Sequence, residues 1–237
     1  MSREREKELA AEAAIAEIQD GMLVGLGTGS TAAYAIKGLG RRVRQGLKMR
    51  AVPSSRWTEN LAREVGIPLL TFAETTRLDV TVDGTDEFDA SLALIKGGGG
   101  ALFREKIVAA ASARLWILAD ASKRVPTLGK FPLPVEVYPF GWQVAARRIG
   151  ELGAKVTLRP TPPSARPAAA GDGDASPFVT DNGGYILDCA FGAIPDPAGL
   201  EAKLRRIVGV METGLFIGMA DTVFVADGER VEVLKRK

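Results

Sequence analysis

Apolar and polar positions follow two periodicities along the chain, and the switches between them predict the order of elements. Residues 3–19 mix acids, bases, Ala, Leu and Ile at helical spacing and stop at Gly21, which predicts an amphipathic helix. The apolar run Met22-Leu23-Val24-Gly25-Leu26 has the length of a buried strand. It gives way to Gly27-Thr28-Gly29-Ser30-Thr31, and Ala-rich helical sequence follows over 32–39. Residues 49–53 predict a second strand, 56–65 a helix, and 78–82 an alternating strand that breaks at Asp83-Gly84. Ile95-Lys96 leads into glycines 97–100, a helix over 101–112 and a buried strand over 115–119. Strands alternating with helices imply βαβ units and a mostly parallel, Rossmann-like α/β sheet. In such sheets ligands collect at the carboxyl ends of the strands, where three Gly- or Asp-rich segments fall here, so those segments are expected to converge on one pocket.

Beyond residue 130 the texture changes. Pro132 and Pro134 interrupt a strand-like 133–137, followed by a helix over 143–152, a strand over 155–158, a strand pair around Asn182-Gly183-Gly184, a helix over 197–207 and a strand over 209–212. This β-α-β-β-α-β order predicts a smaller α+β unit of the ferredoxin-like, split βαβ type inserted into the larger one. The expected division is a Rossmann-like domain of residues 1–130 plus 211–237 and an inserted domain of 131–210. Residues 160–177, rich in Pro, Ala, Gly, Asp and Ser, read as an exposed flexible loop, and 215–225 as the return to the main sheet.

Composition narrows the chemistry. The 237 residues suit one large domain or two modest ones, and a net charge of +2 gives no electrostatic argument for a nucleic-acid or membrane partner. No apolar run reaches the ~18 residues of a membrane span. The start, Ser2-Arg3-Glu4-Arg5-Glu6-Lys7, lacks a signal-peptide core, so a cytoplasmic protein is expected. The single cysteine, Cys189, excludes an internal disulfide and a Cys-based zinc site. The chain has no histidine, which removes His-dependent triads, His-based metal motifs and His proton shuttles together. Proton chemistry then falls to carboxylates, Lys, Tyr, Cys or water.

Each candidate motif has a plain reading beside a chemical one. In Gly27-Thr28-Gly29-Ser30-Thr31 the glycines free N–H groups to face an anion at a helix N-terminus, and the hydroxyls add donors; the plain reading is a tight turn with Ser30 or Thr31 as N-cap. It is neither a Walker A loop nor a dinucleotide fingerprint. Asp83-Gly84-Thr85-Asp86-Glu87 places three carboxylates in five positions, which calls for a cation, a metal or proton chemistry, or else is a solvated Asx turn. The glycines after Lys96 carry a heavy entropic cost whose use is close approach to a ligand, with a flexible hinge as the other reading. Glu105 is either a solvated helix residue or a base in a partly closed pocket. Lys123 reaches a phosphate or solvent, and Ser54-Ser55 line the cleft or cap the next helix. Cys189 reads as buried and inert; Arg41-Arg42, Arg147-Arg148 and Arg205-Arg206 read as solvated faces.

Together these segments resemble ribose-5-phosphate isomerase of the A type. The resemblance spans nearly the whole chain and rests on 25–31, 78–89, 94–108, 129–137, 180–188 and 214–218, in the family's order. It implies interconversion of ribose 5-phosphate and ribulose 5-phosphate in the non-oxidative pentose phosphate pathway, through an enediolate and without a metal or organic cofactor. Carried over by position, Glu105 matches the proton-shuttling base, and Asp83 and Asp86 match aspartates of ring opening and hydroxyl contact. Lys96 matches the lysine beside the reacting oxygens, where a cation stabilises developing negative charge. Thr28, Gly29, Ser30 and Thr31, the stretch Asp83, Gly84, Thr85 and Asp86, then Lys96, Gly97, Gly98 and Gly99, and finally Lys123, match substrate-binding positions that include the phosphate contacts. A homo-oligomer, dimer or tetramer, is implied as well.

Two positions depart from the family pattern. Thr85 stands where Ala is common, adding a hydroxyl beside the carboxylates, and Thr213 stands where a His often precedes Gly-Leu-Phe-Ile-Gly, which bears on a subunit contact. Two rival readings fare worse. An amino-sugar-phosphate deaminase of related fold relies on a His, and a sugar-phosphate sensor has no need of Glu105, Asp83, Asp86 and Lys96 together.

Overall fold

The computed structural model describes residues 2–162 and 176–236. Helices and strands first alternate: α1 (Arg3–Ala16), β1 (Leu23–Leu26), α2 (Ser30–Arg44), β2 (Arg50–Pro53), α3 (Arg56–Glu64), β3 (Val80–Gly84), the short β4 (Glu87–Phe88) and β5 (Leu94–Ile95), α4 (Leu102–Ala110) and β6 (Leu115–Asp120). Next come β7 (Leu133–Val137), α5 (Trp142–Gly150), β8 (Lys155–Leu158), β9 (Tyr185–Ala190), α6 (Pro197–Leu204) and β10 (Val210–Thr213). The chain closes with β11 (Leu215–Phe216), β12 (Thr222–Asp227) and β13 (Arg230–Lys235).

The main sheet runs β13-β12-β6-β3-β1-β2. Every neighbouring pair is parallel except the β12–β13 hairpin at the edge. Numbered along the chain, the five parallel strands lie in the order 2-1-3-4-5, a doubly wound sheet whose order reverses between β1 and β3. The connections leaving these two strands diverge to opposite sides, which opens a crevice at their carboxyl ends.

Period-two alternation divides the core between the two faces. Val24, Leu26, Trp116 and Leu118 pack with Ala10, Ala14, Ala35 and Leu39 of α1 and α2. Leu115, Ile117 and Ala119 turn to the other face, against Phe88, Leu94 and Phe216. Each fully buried Val, Leu, Ile or Phe among them contributes roughly 1.5–3 kcal/mol. The first helix is capped by Ser2, whose hydroxyl accepts the Arg5 N–H. Arg42 is not a solvated base: its guanidinium donates to the Ile15 and Ile18 carbonyls at the C-terminal end of α1. Arg147 and Arg148 pair with Glu151 on the surface, and Arg205 reaches Glu201 and Glu212.

The second sheet is antiparallel, ordered β10-β7-β9-β8, with α5 and α6 packed on it, the split βαβ order expected from the sequence. Glu212 and Thr213, placed in the larger domain by the sequence, pair with β7 here as the end of β10, past a register shift after Val210. Of the strand pair expected around residues 182–184, the second strand forms as β9, and among the described residues the first is reduced to a bridge from Val179 to Tyr185. Of the expected 160–177 loop, residues 163–175 lie outside the described residues; its ends are joined by the Thr161 N–H donating to the Ser176 carbonyl at 2.8 Å.

A third, three-stranded sheet, β11-β5-β4, was not expected. Its two-residue strands are too short to show a periodicity, and β11 enters it instead of returning directly to the main sheet. This ribbon governs the site, because Asp86 N–H donates to Ile95 C=O at 2.9 Å and Lys96 N–H to Gly214 C=O at 2.8 Å.

Candidate active site

The crevice between β1 and β3 holds a cavity of about 240 Å³. It is lined by the segments from Thr28 to Thr31, Gly84 to Asp86 and Lys96 to Gly99, together with Lys7, Glu105 and Lys123. This volume is below the ~300–1,000 Å³ typical of drug-sized ligands. The convergence of Gly- and Asp-rich strand ends expected from the sequence is therefore present, and the cavity joins residues as far apart in sequence as Lys7 and Lys123.

One end of the cavity is built for an anion. Gly29 is the N-cap of α2 with φ of 110°, a conformation that L side chains rarely adopt, and no side chain caps this helix. Ser30 and Thr31 are first-turn residues, not caps, which corrects the plain reading of the motif. The leading N–H groups of α2 keep their hydrogen-bonding capacity and the positive end of the helix dipole faces the cavity. Lys7 lies over the same end, its Nζ donating to Ser30 Oγ at 3.1 Å and to Glu4 Oε1 at 2.7 Å. Lys123 closes the short 3-10 turn Ala121–Lys123 after β6, where the Asp120 side chain accepts the Ser122 N–H. Thr28 plays a different part: its hydroxyl lies 2.8 Å from Ser54 Oγ, 2.9 Å from Ser55 Oγ and 3.0 Å from Thr58 Oγ1. Ser55 is the N-cap of α3, and neither Ser54 nor Ser55 lines the cavity.

The other end holds the titratable groups. The end of β3 buries Asp83 behind the cavity lining, not on it, its Oδ1 accepting the Gly84 N–H at 2.7 Å and the Thr28 N–H at 3.2 Å. A Cβ on Gly27 would fall 1.9 Å from that oxygen, so only glycine leaves room for Asp83 there. Lys96, leaving β5, sets its Nζ 2.9 Å from Asp83 Oδ2, 2.6 Å from the Gly84 carbonyl and 3.5 Å from Glu105 Oε2. Glu105 stands in the first turn of α4; it is 4% exposed, and its Oε2 is buried without a hydrogen bond. Asp86 Oδ2 accepts the Gly98 N–H at 2.7 Å, tying the aspartate segment to the glycine loop.

Burial, then the neighbouring Asp83 charge, pushes Glu105 up to about 8, against the pull of Lys96. Burial raises Asp83 as well, opposed by Lys96 and its two amide donors. For Lys96, burial disfavours the ammonium, but Asp83 and Glu105 outweigh it and the pKa rises. The cluster thus contains one firmly held cation and two carboxylates competing for it. Asp83 has the better contacts, so Glu105 is the group left with a proton affinity near neutral pH.

The remaining carboxylate of the motif is structural: Glu87 accepts the Gly129 and Phe131 N–H groups at 2.8 and 2.6 Å and faces away from the cavity. Thr85 turns its hydroxyl towards the carbonyls of Glu87 and Ile95, at 2.7 and 3.0 Å, so the added hydroxyl braces the β4–β5 ribbon. Thr213 is fully buried within the chain, its carbonyl accepting from Lys106 Nζ at 2.8 Å, and its side chain forms no part of the surface. Cys189 is buried, its thiol pushed up to about 12 by burial and by Asp188. Lys7 is the cavity residue that the sequence did not single out; one lysine in a helix rich in both charges carries no distinguishing signal. Among the described residues no three His, Cys, Asp or Glu side chains are grouped so as to hold a metal ion.

The family model for ribose 5-phosphate isomerase A (phosphoriboisomerase A) matches residues 50–230. Ribose-5-phosphate isomerase A of Gloeobacter violaceus is 55% identical over 230 residues, covering 96% of this chain and 95% of the relative. That of Sphingopyxis alaskensis is 49% identical over 231 residues, covering 98% and 96%. Among solved structures, ribose 5-phosphate isomerase A from Methanocaldococcus jannaschii superposes with a TM-score of 0.89 at 40% identity, covering 99% of this chain and 100% of that one. A D-ribose-5-phosphate isomerase in complex with phospho-erythronic acid gives a TM-score of 0.91 at 39% identity, with full coverage of both chains.

Proposed function

The chain belongs to the ribose 5-phosphate isomerase A family, and we propose that the cluster of Lys96, Asp83, Asp86 and Glu105 is where it carries out that family's reaction. The protein is an aldose–ketose isomerase that interconverts ribose 5-phosphate and ribulose 5-phosphate by proton transfer through an enediolate.

The phosphate binds at the N-terminus of α2, where the amides and hydroxyls of Ser30 and Thr31 donate and Lys7 and Lys123 supply charge. Asp86, on the cavity lining, contacts the sugar hydroxyls and assists ring opening, while Asp83 behind the lining holds Lys96. In the open-chain aldose, the Glu105 carboxylate takes the proton from C2 and the C2–H electron pair forms the C1–C2 double bond. The displaced carbonyl electrons move onto the C1 oxygen, giving the enediolate. Lys96 and the Gly99 N–H of the glycine loop at 97–99 stabilise that charge where it develops. Proton exchange between the two oxygens and return of the proton from Glu105 to C1 give the ketose. The step is a redistribution of protons within one molecule, so no electron donor or acceptor is consumed.

The observation that carries this reading is Glu105 itself: a buried carboxyl without a hydrogen bond on Oε2, lining the cavity beside a lysine, with a pKa raised to about 8. We further propose a cytoplasmic homo-oligomer, dimer or tetramer, working in the non-oxidative pentose phosphate pathway, with the inserted unit of residues 131–210 carrying subunit contacts. Exposed Tyr138, Phe140, Val144 and Val208 on that unit support the last point. No helix among the described residues is long and apolar enough to cross a membrane.

The test is isomerisation of ribose 5-phosphate by metal-stripped protein in EDTA, comparing the wild type with Glu105→Gln. A loss of at least ~100-fold in kcat in a folded variant is expected for a general base. Full activity in the variant would place the base elsewhere.

A further inference from the structure

Arg159, the residue after β8 of the second sheet, lies outside the cavity yet grips the loop that lines it. Its Nη1 donates to the Gly97 carbonyl at 2.9 Å and to the Gly98 carbonyl at 3.1 Å. The rest of the guanidinium is held by Asp188 of β9, with Nε 3.0 Å from Oδ2 and Nη2 on Oδ1. This two-pronged pairing fixes the plane of the guanidinium, and so the direction of its remaining donor.

The loop needs such a grip. Gly97 has φ of 109°, and four successive glycines have almost no conformational preference of their own, so the bound shape must be imposed by contacts from outside. On the cavity side, Asp86 Oδ2 takes the Gly98 N–H. Within the loop, the Gly100 N–H returns to the Gly97 carbonyl at 2.9 Å. On the far side Arg159 takes the carbonyls. In a planar trans peptide the carbonyl and the following N–H point in opposite directions, and no peptide bond here is cis. Drawing the Gly97 and Gly98 carbonyls towards Arg159 therefore turns the Gly98 and Gly99 N–H groups away from it, towards the cavity side where Asp86 sits.

We propose that Arg159, oriented by Asp188, is a positioning residue that holds the glycine loop so that the Gly98 N–H stays on Asp86 and the Gly99 N–H is set against the reacting oxygens of the sugar phosphate. This rests on the cavity being the isomerase site. It makes the second sheet part of the catalytic apparatus, since Arg159, the residue after β8, and Asp188 of β9 then shape a site formed at the ends of β1 and β3. The contribution belongs to the transition state, because the loop faces the end where charge develops, while the phosphate end on α2 has no contact with Arg159.

The test compares Arg159→Met, Arg159→Lys and Asp188→Asn with the wild type for kcat, KM, inhibition by inorganic phosphate and thermal stability. The expected result for Arg159→Met is a fall in kcat of roughly tenfold or more with the inhibition constant for phosphate unchanged within about twofold. Arg159→Lys, which keeps the charge but not the fork, is expected to recover only part of the loss. In Asp188→Asn, which retains the contact residue but frees its plane, kcat is expected to fall less than in Arg159→Met. Should Arg159→Met fail to fold, the other two variants decide the matter by the same split. Unchanged kcat in all folded variants overturns the proposal, as does a parallel loss of kcat, phosphate inhibition and thermal stability, which would mark a merely structural ion pair. Glu105→Gln separates the two levels: full activity in that variant refutes the site, whereas an inactive Glu105→Gln beside fully active Arg159 variants refutes the positioning role alone.

Discussion

Glu105 Oε2 and Lys96 Nζ lie 3.5 Å apart in a buried setting, close enough for strong attraction and too far for a good hydrogen bond. Asp83 is nearer to the same ammonium, at 2.9 Å, and has two backbone donors besides. The difference in distance divides the labour: Asp83 neutralises Lys96, and Glu105 keeps an affinity for protons that a base working near neutral pH requires.

This division predicts opposite effects of two substitutions on the pH dependence of kcat/KM. In the wild type the activity of the base form rises with pH through about 8, the value to which burial and the Asp83 charge push Glu105. Asp83→Asn removes the repelling charge and leaves Lys96 to Glu105, so the acid limb moves to lower pH. Lys96→Met removes the one attraction that holds Glu105 down, so the limb moves up. Rate profiles normalised to their own maxima measure the limb independently of the height, and shifts in the same direction would contradict the electrostatic account.

The same residue sets a pH dependence of stability. The carboxyl titrates near 4.5 when unfolded and near 8 when folded, so between these values the folded chain holds a proton that the unfolded chain has released. Its favourable contribution is complete below about 4.5 and is lost as pH rises through about 8. Glu105→Gln has no such titration. Its stability relative to wild type is expected to increase across that window and level off above it, by an amount on the order of 1.4 kcal/mol per pKa unit. Thermal melts at about pH 5, 7 and 9 measure this, and a pH-independent difference would rule it out.

Legibility from the sequence followed the length of each element and the directness of its chemistry. The strands at 23–26 and 115–120 are apolar enough to be read alone. The strand expected over 78–82 instead runs over 80–84 and carries Asp83 and Gly84 within it, paired to β6. The Gly- and Asp-rich strand ends nonetheless meet at one cavity. The β-α-β-β-α-β order of the second sheet was equally readable, because each element spans several residues of regular pattern. What escaped were contacts made over distance by short or ordinary segments. The two-residue strands β4, β5 and β11 have no period, yet they set Lys96 beside Asp83. Lys7 and Arg159 are unexceptional in their local sequence and acquire meaning only when α1 and β8 are packed against the site. Glu87 shows the reverse: it shares a motif with Asp83 and Asp86 but is spent on backbone donors at residues 129 and 131.

The hydroxyl of Thr85 is directed into the β4–β5 ribbon, not at the carboxylates that flank it in sequence. Thr85→Ala is therefore expected to leave kcat and KM within about twofold of wild type while lowering stability by about 0.5–1.5 kcal/mol, the worth of an ordinary hydrogen bond. Steady-state kinetics with a denaturant titration test this together. A large drop in kcat at unchanged stability would show that the hydroxyl serves the reaction.

Lys7 provides the sharpest contrast with Glu105, because it belongs to the anion end of the cavity and lies far along the chain from every acid at the other end. Its ammonium already sits 3.1 Å from Ser30 Oγ, and its side chain is 15% exposed, so little ordering is needed for it to meet a phosphate held on the α2 amides. Lys7→Ala removes a charged donor from that phosphate, an interaction of about 1.5–3 kcal/mol, so KM and the inhibition constant for inorganic phosphate are expected to rise together by about tenfold or more. The position of the acid limb should stay near the wild-type value, since Lys7 has no part in the coupling that raises Glu105. Phosphate inhibition measured beside the pH profile tests both halves of the statement: an unchanged inhibition constant removes Lys7 from the phosphate site, and a displaced limb shows that the two ends of the cavity are electrostatically joined.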